Sequence, residues 1–122
     1  MGGILIADEP PRRVDRDTAH SAAAFDRLLV DLPDDRREVI VAIARKASGR
    51  QTVTFHELLE TAMCHGWVDT QTRRIDDERY AIRYMRRRPG SNWSARNREI
   101  ARTLRTDGRL TASGIASLPP DL

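Results

Sequence analysis

Apolar residues recur at three- and four-residue steps through Ala22, Phe25, Leu28, Leu29 and Leu32. That spacing lines one face of a helix, and Pro33 marks its end. Either Thr18 or Ser21 is placed to cap its start. The period then changes. In "REVIVAIARK", Val39, Val41 and Ile43 alternate with Ile40, Ala42 and Ala44. Four β-branched residues within positions 39–43 are poor helix material and suit a strand buried on both faces. A helix opened by Asp34 or Asp35 and stopped at Gly49 fits the same run, and periodicity alone does not separate the two.

The next helix start is sharper. In "VTFHELL", Thr54 and Glu57 have the spacing of a capping box, and Val53 and Leu58 that of a hydrophobic staple. Phe55, Leu58, Leu59, Ala62 and Met63 give the buried face, and Gly66 sits where a left-handed C-cap belongs. Beyond Gly66 the period moves towards two. Tyr80, Ile82 and Tyr84 alternate with Arg79, Ala81 and Arg83, and "IDDE" has a turn composition. This predicts a hairpin of about 68–75 with 79–86, apolar and aromatic on one face and Arg-rich on the other. "RPGSNWS" breaks the sheet and starts a helix at Ser91 or Ser94. On that helix Trp93, Ile100, Ala101 and Leu104 fall on one side, with Arg98, Arg102 and Arg105 opposite. "TASGIASL" predicts a last short helical turn before Pro119 and Pro120. The expected fold class is α+β: a small antiparallel sheet, made of the hairpin plus one strand, packed against three to four helices. Residues 1–17, with Pro10, Pro11 and alternating charges, read as a flexible arm, and 18–122 as a single domain.

Charge changes this picture. Residues 1–72 hold nine basic and twelve acidic groups, a net of −3, whereas 73–109 hold twelve arginines against five acids, a net of +7. Both tryptophans and both tyrosines lie within 67–93, in or beside that basic region. Lys46 is the only lysine, which fits a GC-rich coding bias better than a functional choice of Arg, but such a bias does not decide where charge sits. Cys64 is the lone cysteine, so no internal disulfide forms and a reducing, cytoplasmic setting is expected. The four-residue apolar run Ile4–Ala7 is too short for a signal-peptide core of roughly seven to fifteen residues or a membrane span of about twenty.

Candidate chemistry is sparse. His56, Cys64, His65 and Asp69 lie close in sequence, but their spacing makes a poor zinc site, and no metal or cofactor is expected. Cys64 has no well-placed base and reads as a small packed residue rather than a nucleophile. Asp76, Asp77 and Glu78 crowd one turn and are expected to form the turn and pair with nearby arginines. The stripe Arg83, Arg86, Arg87, Arg88, Arg98, Arg102 and Arg105, with Tyr80, Tyr84 and Trp93 interleaved, is the strongest physical signal. It suits phosphate contacts on a nucleic acid. Yet the aromatics fall on core-facing sides, which leaves an ordinary charged face as the commoner outcome.

The stretch Thr54–Ala116 resembles the bacteriocin-protection family, also called the YdeI/OmpD-associated family. The resemblance is carried by Cys64, Gly66, Trp67, Val68 and Asp69, by "RRIDDERYAIRYMRRRPGSNWSARN", and by Gly108, Arg109, Leu110, Ala112 and Gly114. Where the family has F-T-P-R-R this chain has Tyr84-Met85-Arg86-Arg87-Arg88, and His65 and Thr70 replace a Phe and a Gly. The resemblance implies a small module of the stress-resistance type with no established biochemical activity. The shared signature is polar rather than aliphatic. It implies either a hydrogen-bonded ion-pair network joining hairpin to helix or a site for a polar ligand. The expectation is a soluble, non-enzymatic module that binds a polar or anionic partner through Trp67, Asp69, Arg83, Arg87, Arg88, Asn97 and Arg98. Asp76, Asp77, Tyr80, Ser91, Trp93 and Ser94 serve as the structural motif. The alternatives are a nucleic-acid-binding protein using the Arg stripe of 83–105, and an enzyme acting on a small polar substrate at the hairpin–helix junction.

Overall fold

A computed structural model of the chain describes residues 5–7, 14–15 and 20–122. Its elements are β1 (Leu5–Ala7), α1 (Ala22–Asp31), β2 (Glu38–Ala44), α2 (Phe55–Cys64), β3 (Trp67–Arg74), β4 (Arg79–Arg86), α3 (Ala95–Thr106) and α4 (Ala112–Ala116). Among the described residues they form an α+β domain in which four α-helices and a 3-10 turn at Lys46–Ser48 accompany one small sheet of order β1-β3-β4-β2. Within the ambiguous run 37–46, Glu38–Ala44 is therefore a strand, as its β-branched content favours, and Lys46 opens the short 3-10 turn.

The hairpin β3–β4 and the strand β2 make the expected antiparallel sheet, with Trp67 opposite Arg86 and Val39 opposite Tyr84. The sheet also gains a parallel edge strand, β1, beside β3. That strand comes from the segment 1–17. Asp15 in the same segment donates its backbone N–H to the Ile40 carbonyl at 2.8 Å, and its carboxylate accepts the Ile40 N–H at 2.8 Å and an N–H of Arg36. The remainder of 1–17, and with it Thr18, lies outside the described residues.

Alternation along the strands sorts the sheet into two faces. Val39, Val41, Ile43, Ile82, Tyr84 and Trp67 point into one core with Phe25 and Leu29 of α1 and Leu58 and Ala62 of α2. A second cluster forms on the other side of α2, where Leu59, Met63 and Cys64 meet Ala101 and Leu104 of α3. The buried helix α2 thus separates the two cores.

Local signals account for the helix ends. Ser21 Oγ accepts the Ala24 N–H at the start of α1. The Thr54–Glu57 capping box is complete, with Glu57 N–H to Thr54 Oγ1 at 3.1 Å and Thr54 N–H to Glu57 Oε1 at 3.0 Å. Gly66, at φ +79°, reverses the chain from α2 directly into β3. The hairpin turn is closed by Asp76, whose Oδ1 accepts the N–H groups of Glu78 and Arg79, both at 2.8 Å. Asp77 pairs with Arg74 across the same turn.

One sequence expectation needs correction. Trp93 is not part of α3. Ser94 is the N-cap, accepting the Asn97 N–H at 3.0 Å, and Trp93 precedes it, half-buried against the second core. The Pro89-Gly90 break therefore runs five residues before the helix begins, and this loop, rather than a helix face, presents Trp93.

Candidate functional site

The end of β4 carries three consecutive arginines with three different fates. Arg86 turns towards the core face. Its guanidinium carbon lies 4.6 Å from the centre of the buried Trp67 ring, and its Nε and Nη2 donate to the carbonyls of Arg36 and Pro33. Those carbonyls fix the side chain without neutralising it. Arg87 is held more tightly. Its backbone N–H bonds the Gly66 carbonyl at 2.9 Å, Nη1 donates to Ser91 Oγ and to the Asn92 carbonyl at 3.2 and 3.0 Å, and its guanidinium carbon stacks 3.6 Å from the Trp93 ring centre. A cation against an aromatic face gains roughly 0.5–2 kcal/mol. Arg88 is exposed and, among the described residues, meets no carboxylate.

These residues border a cleft of about 430 Å3. One wall is Arg86, Arg87 and the loop of Gly90, Ser91 and Trp93; the other is α4 with the tail from Ser117 to Pro120. Arg37 and the His65-Gly66 turn complete its lining. Among the described residues no carboxylate lines it. Arg37 is drawn in by the strand pairing, its carbonyl accepting the Arg86 N–H at 3.1 Å. His65 enters at the end of α2, with Nε2 2.5 Å from Asp26 Oδ1 of α1. Arg86, Arg87 and Ser91 also border a shallower depression of about 350 Å3 with Arg88, Val68, Thr70 and Met85.

The cleft wall from α4 depends on close backbone approach. Cys64, the last residue of α2, offers its carbonyl to the Thr111 N–H at 2.9 Å and to Thr111 Oγ1 at 2.8 Å. A Cβ on Gly114 would lie 2.2 Å from that same oxygen, so only glycine lets α4 sit this close.

Behind Arg87 lies a buried polar group. Asp69 on β3 is 4% exposed and stands opposite Tyr84. Burial raises the Asp69 carboxyl above its usual range, opposed by its own backbone hydrogen bond and by the nearby Arg87 and Arg96. Burial also lowers the Arg87 guanidinium to about 10, with Asp69 pulling it back up. The Tyr84 hydroxyl is pushed well above its ordinary value by complete burial and then by Asp69. Three buried donors close to this junction, Tyr84 Oη, Arg87 Nη2 and Asn97 Nδ2, have no protein partner among the described residues.

The expected binding residues thus divide. Arg87 lines the cleft, with Asp69 behind it; Arg88 borders only the neighbouring depression; Asn97 is buried in the first turn of α3. Trp67 is core, 1% exposed, and reaches the site only through Arg86. Arg83 lies on the far face of the sheet, its Nε donating to Glu38 Oε2 at 2.6 Å. Arg98 pairs with Asp121, and Arg102 with Glu99 at 3.3 Å. Of the structural motif, Asp76 and Asp77 build the turn, Tyr80 packs half-buried on the first core, Ser91 and Trp93 hold Arg87, and Ser94 caps α3. Arg37 carries no signal in the sequence, Arg86 stands there only as one member of the arginine stripe, and His65 only as a poorly spaced metal ligand. Pairing of β2 with β4 places 37 beside 86, the Arg86 N–H meeting the Arg37 carbonyl.

Among the described residues no group of three or more His, Cys, Asp or Glu is arranged to hold a metal, and no helix is long and apolar enough to cross a membrane. A family model described as a domain of unknown function (DUF8412) matches residues 18–117. No curated protein and no solved structure gives a significant match.

Proposed function

The chain belongs to the DUF8412 family, a domain of unknown function, and we propose from its own side chains that it is a non-enzymatic module binding a polar, anionic ligand in the cleft at the end of β4. The observation that carries this reading is the uncompensated charge there. Arg37, Arg86 and Arg87 line one cleft in which, among the described residues, no carboxylate stands, whereas Arg83, Arg98 and Arg102 elsewhere are paired. A preorganised guanidinium loses little conformational freedom when it meets an oxyanion. The residues that carry the resemblance to the bacteriocin-protection family include Arg87, Ser91 and Trp93, so a stress-resistance role acting through this cleft belongs to the proposal. The lone buried Cys64 suits a reducing, cytoplasmic compartment.

Calorimetric titration with inorganic phosphate at low salt tests the reading. Saturable binding that falls at least fivefold in Arg37→Ala and is unchanged in Arg83→Gln supports it. Absence of any saturable anion binding removes it.

A second reading, an enzyme on the same ligand, has the His65–Asp26 pair in its favour, since a carboxylate-held imidazole is an acid–base group. Hydrolysis of para-nitrophenyl phosphate that His65→Gln abolishes would favour it over simple binding. The nucleic-acid reading has less to stand on, because Arg83, Arg98 and Arg102 of its stripe are ion-paired.

A further inference from the structure

We infer that the ligand is a terminal oxyanion joined directly to a compact apolar body, in the first instance an aryl phosphomonoester, rather than a chain of phosphodiesters. This deepens the anion-binding reading and rests on it. Two observations carry it. The first is where the positive charge stops. Arg37, Arg86 and Arg87 line one cleft and Arg88 borders the depression beside it, but past the tail that forms the other wall Arg98 is neutralised by Asp121, and further along α3 Arg102 by Glu99. A polyanion leaving the cleft past the tail would meet these ion pairs, whose carboxylates repel it. One anionic group, by contrast, needs only the three arginines of the lining, and a dianion gains more from them than a monoanion.

The second observation is what shares the cleft with that charge. Trp93, Leu118 and Pro119 line the same space, so an apolar surface adjoins the arginines. Bare phosphate would leave it wet. A phosphate carrying a ring covers it and gains from the area removed from water. The volume of about 430 Å3 accommodates such a molecule, lying within the roughly 300–1,000 Å3 typical of small-ligand sites.

The test compares calorimetric affinities of the full chain for phenyl phosphate, inorganic phosphate, phenol, benzoate and a single-stranded oligonucleotide. Phenyl phosphate is expected to bind at least tenfold tighter than inorganic phosphate, with phenol undetectable and benzoate at least fivefold weaker than phenyl phosphate. Arg37→Ala, an exposed position that leaves the core intact, should weaken phosphate and phenyl phosphate alike by at least fivefold. Pro119→Ala should weaken phenyl phosphate alone. Equal affinity for phosphate and phenyl phosphate overturns the apolar subsite while leaving anion binding standing. Benzoate binding as tightly overturns the choice of a phosphomonoester. An oligonucleotide that binds tighter per phosphate than phenyl phosphate overturns the terminal-anion claim. No binding by any of the anions removes this inference and the anion-binding reading together.

Discussion

Gly114→Ala tests how α4 is held against the end of α2, and so how the cleft keeps its second wall. Gly114 is the third residue of α4. A Cβ there would lie 2.2 Å from the Cys64 carbonyl oxygen, 2.9 Å from its carbon and 3.2 Å from the Met63 oxygen. All three atoms are backbone, so no side-chain rotation relieves the clash. In a helix free of such neighbours, alanine would gain about 1 kcal/mol over glycine. Here overpacking costs about 1–3 kcal/mol. Shifting α4 away also weakens the two bonds from Thr111 to the Cys64 carbonyl, worth about 0.5–1.5 kcal/mol each. The net is a loss of roughly 1–5 kcal/mol, which for a domain of this size lowers the melting temperature by about 4–20 °C. Urea and thermal unfolding followed by circular dichroism measure it. Phosphate affinity should fall in parallel, because Ser113 and Ser117 move with the helix. The comparison Gly90→Ala has a different cause, since Gly90 has φ +74° but open space around it, and its cost is only the left-handed backbone, about 1–2 kcal/mol. An unchanged or raised unfolding midpoint for Gly114→Ala refutes the packing argument, because helix propensity alone predicts a gain.

Three further outcomes follow from the geometry. Thr54→Ala removes one arm of the capping box and should destabilise by about 0.5–2 kcal/mol in urea unfolding, with little change in anion affinity. Burial lifts the Asp69 carboxyl above its ordinary value near 3.8, so the native state keeps a proton that the unfolded chain releases. The contribution is therefore intact below about pH 3.8 and lost as pH rises through the elevated value. Asp69→Asn should accordingly gain stability relative to wild type between about pH 3 and pH 7, and a gap that stays flat or narrows contradicts the burial argument. Arg87→Lys keeps the charge but loses the stack on Trp93 and the fork to Ser91 and Asn92. It should cost about 1–3 kcal/mol in unfolding and at least fivefold in phosphate affinity.

What was legible in the chain was local. The spacing of Thr54 and Glu57 located the start of α2 because a capping box is satisfied within one turn. Alternation of Tyr80, Ile82 and Tyr84 located β4 because strand side chains have period two. The β-branched run 39–43 resolved correctly to a strand, although only its pairing with β4 removes the helical alternative. Trp93 failed for a local reason. Its helical spacing to Ile100 and Leu104 was real, but Ser94 caps the helix one residue later, so Trp93 reaches the same cluster from a loop. The cleft was hidden for a non-local reason. Arg37 and Arg86 are 49 positions apart and meet through sheet register, while Ser113 and Ser117 arrive through the glycine contact with α2. Nothing near any of these residues in sequence announces the others.

The polar signature first read as either a network or a site divides by position. At the turn the charges answer one another: Asp76 holds Arg79 and Asp77 holds Arg74, both on the surface, where such pairs are worth little. At the other end of the hairpin the balance differs. Asp69 and Arg87 are drawn out of water, and taking such groups out of water often costs more than their attraction returns. An apolar pair would fill the same space at no such cost, so stability alone gives no reason for ionisable groups there. Position gives one. Asp69 opposes the desolvation of Arg87, while Trp93, Ser91 and Asn92 fix the direction of its guanidinium. A cation so held, lining a cleft with Arg37 and Arg86 in which no carboxylate stands among the described residues, is what the proposed anion site requires.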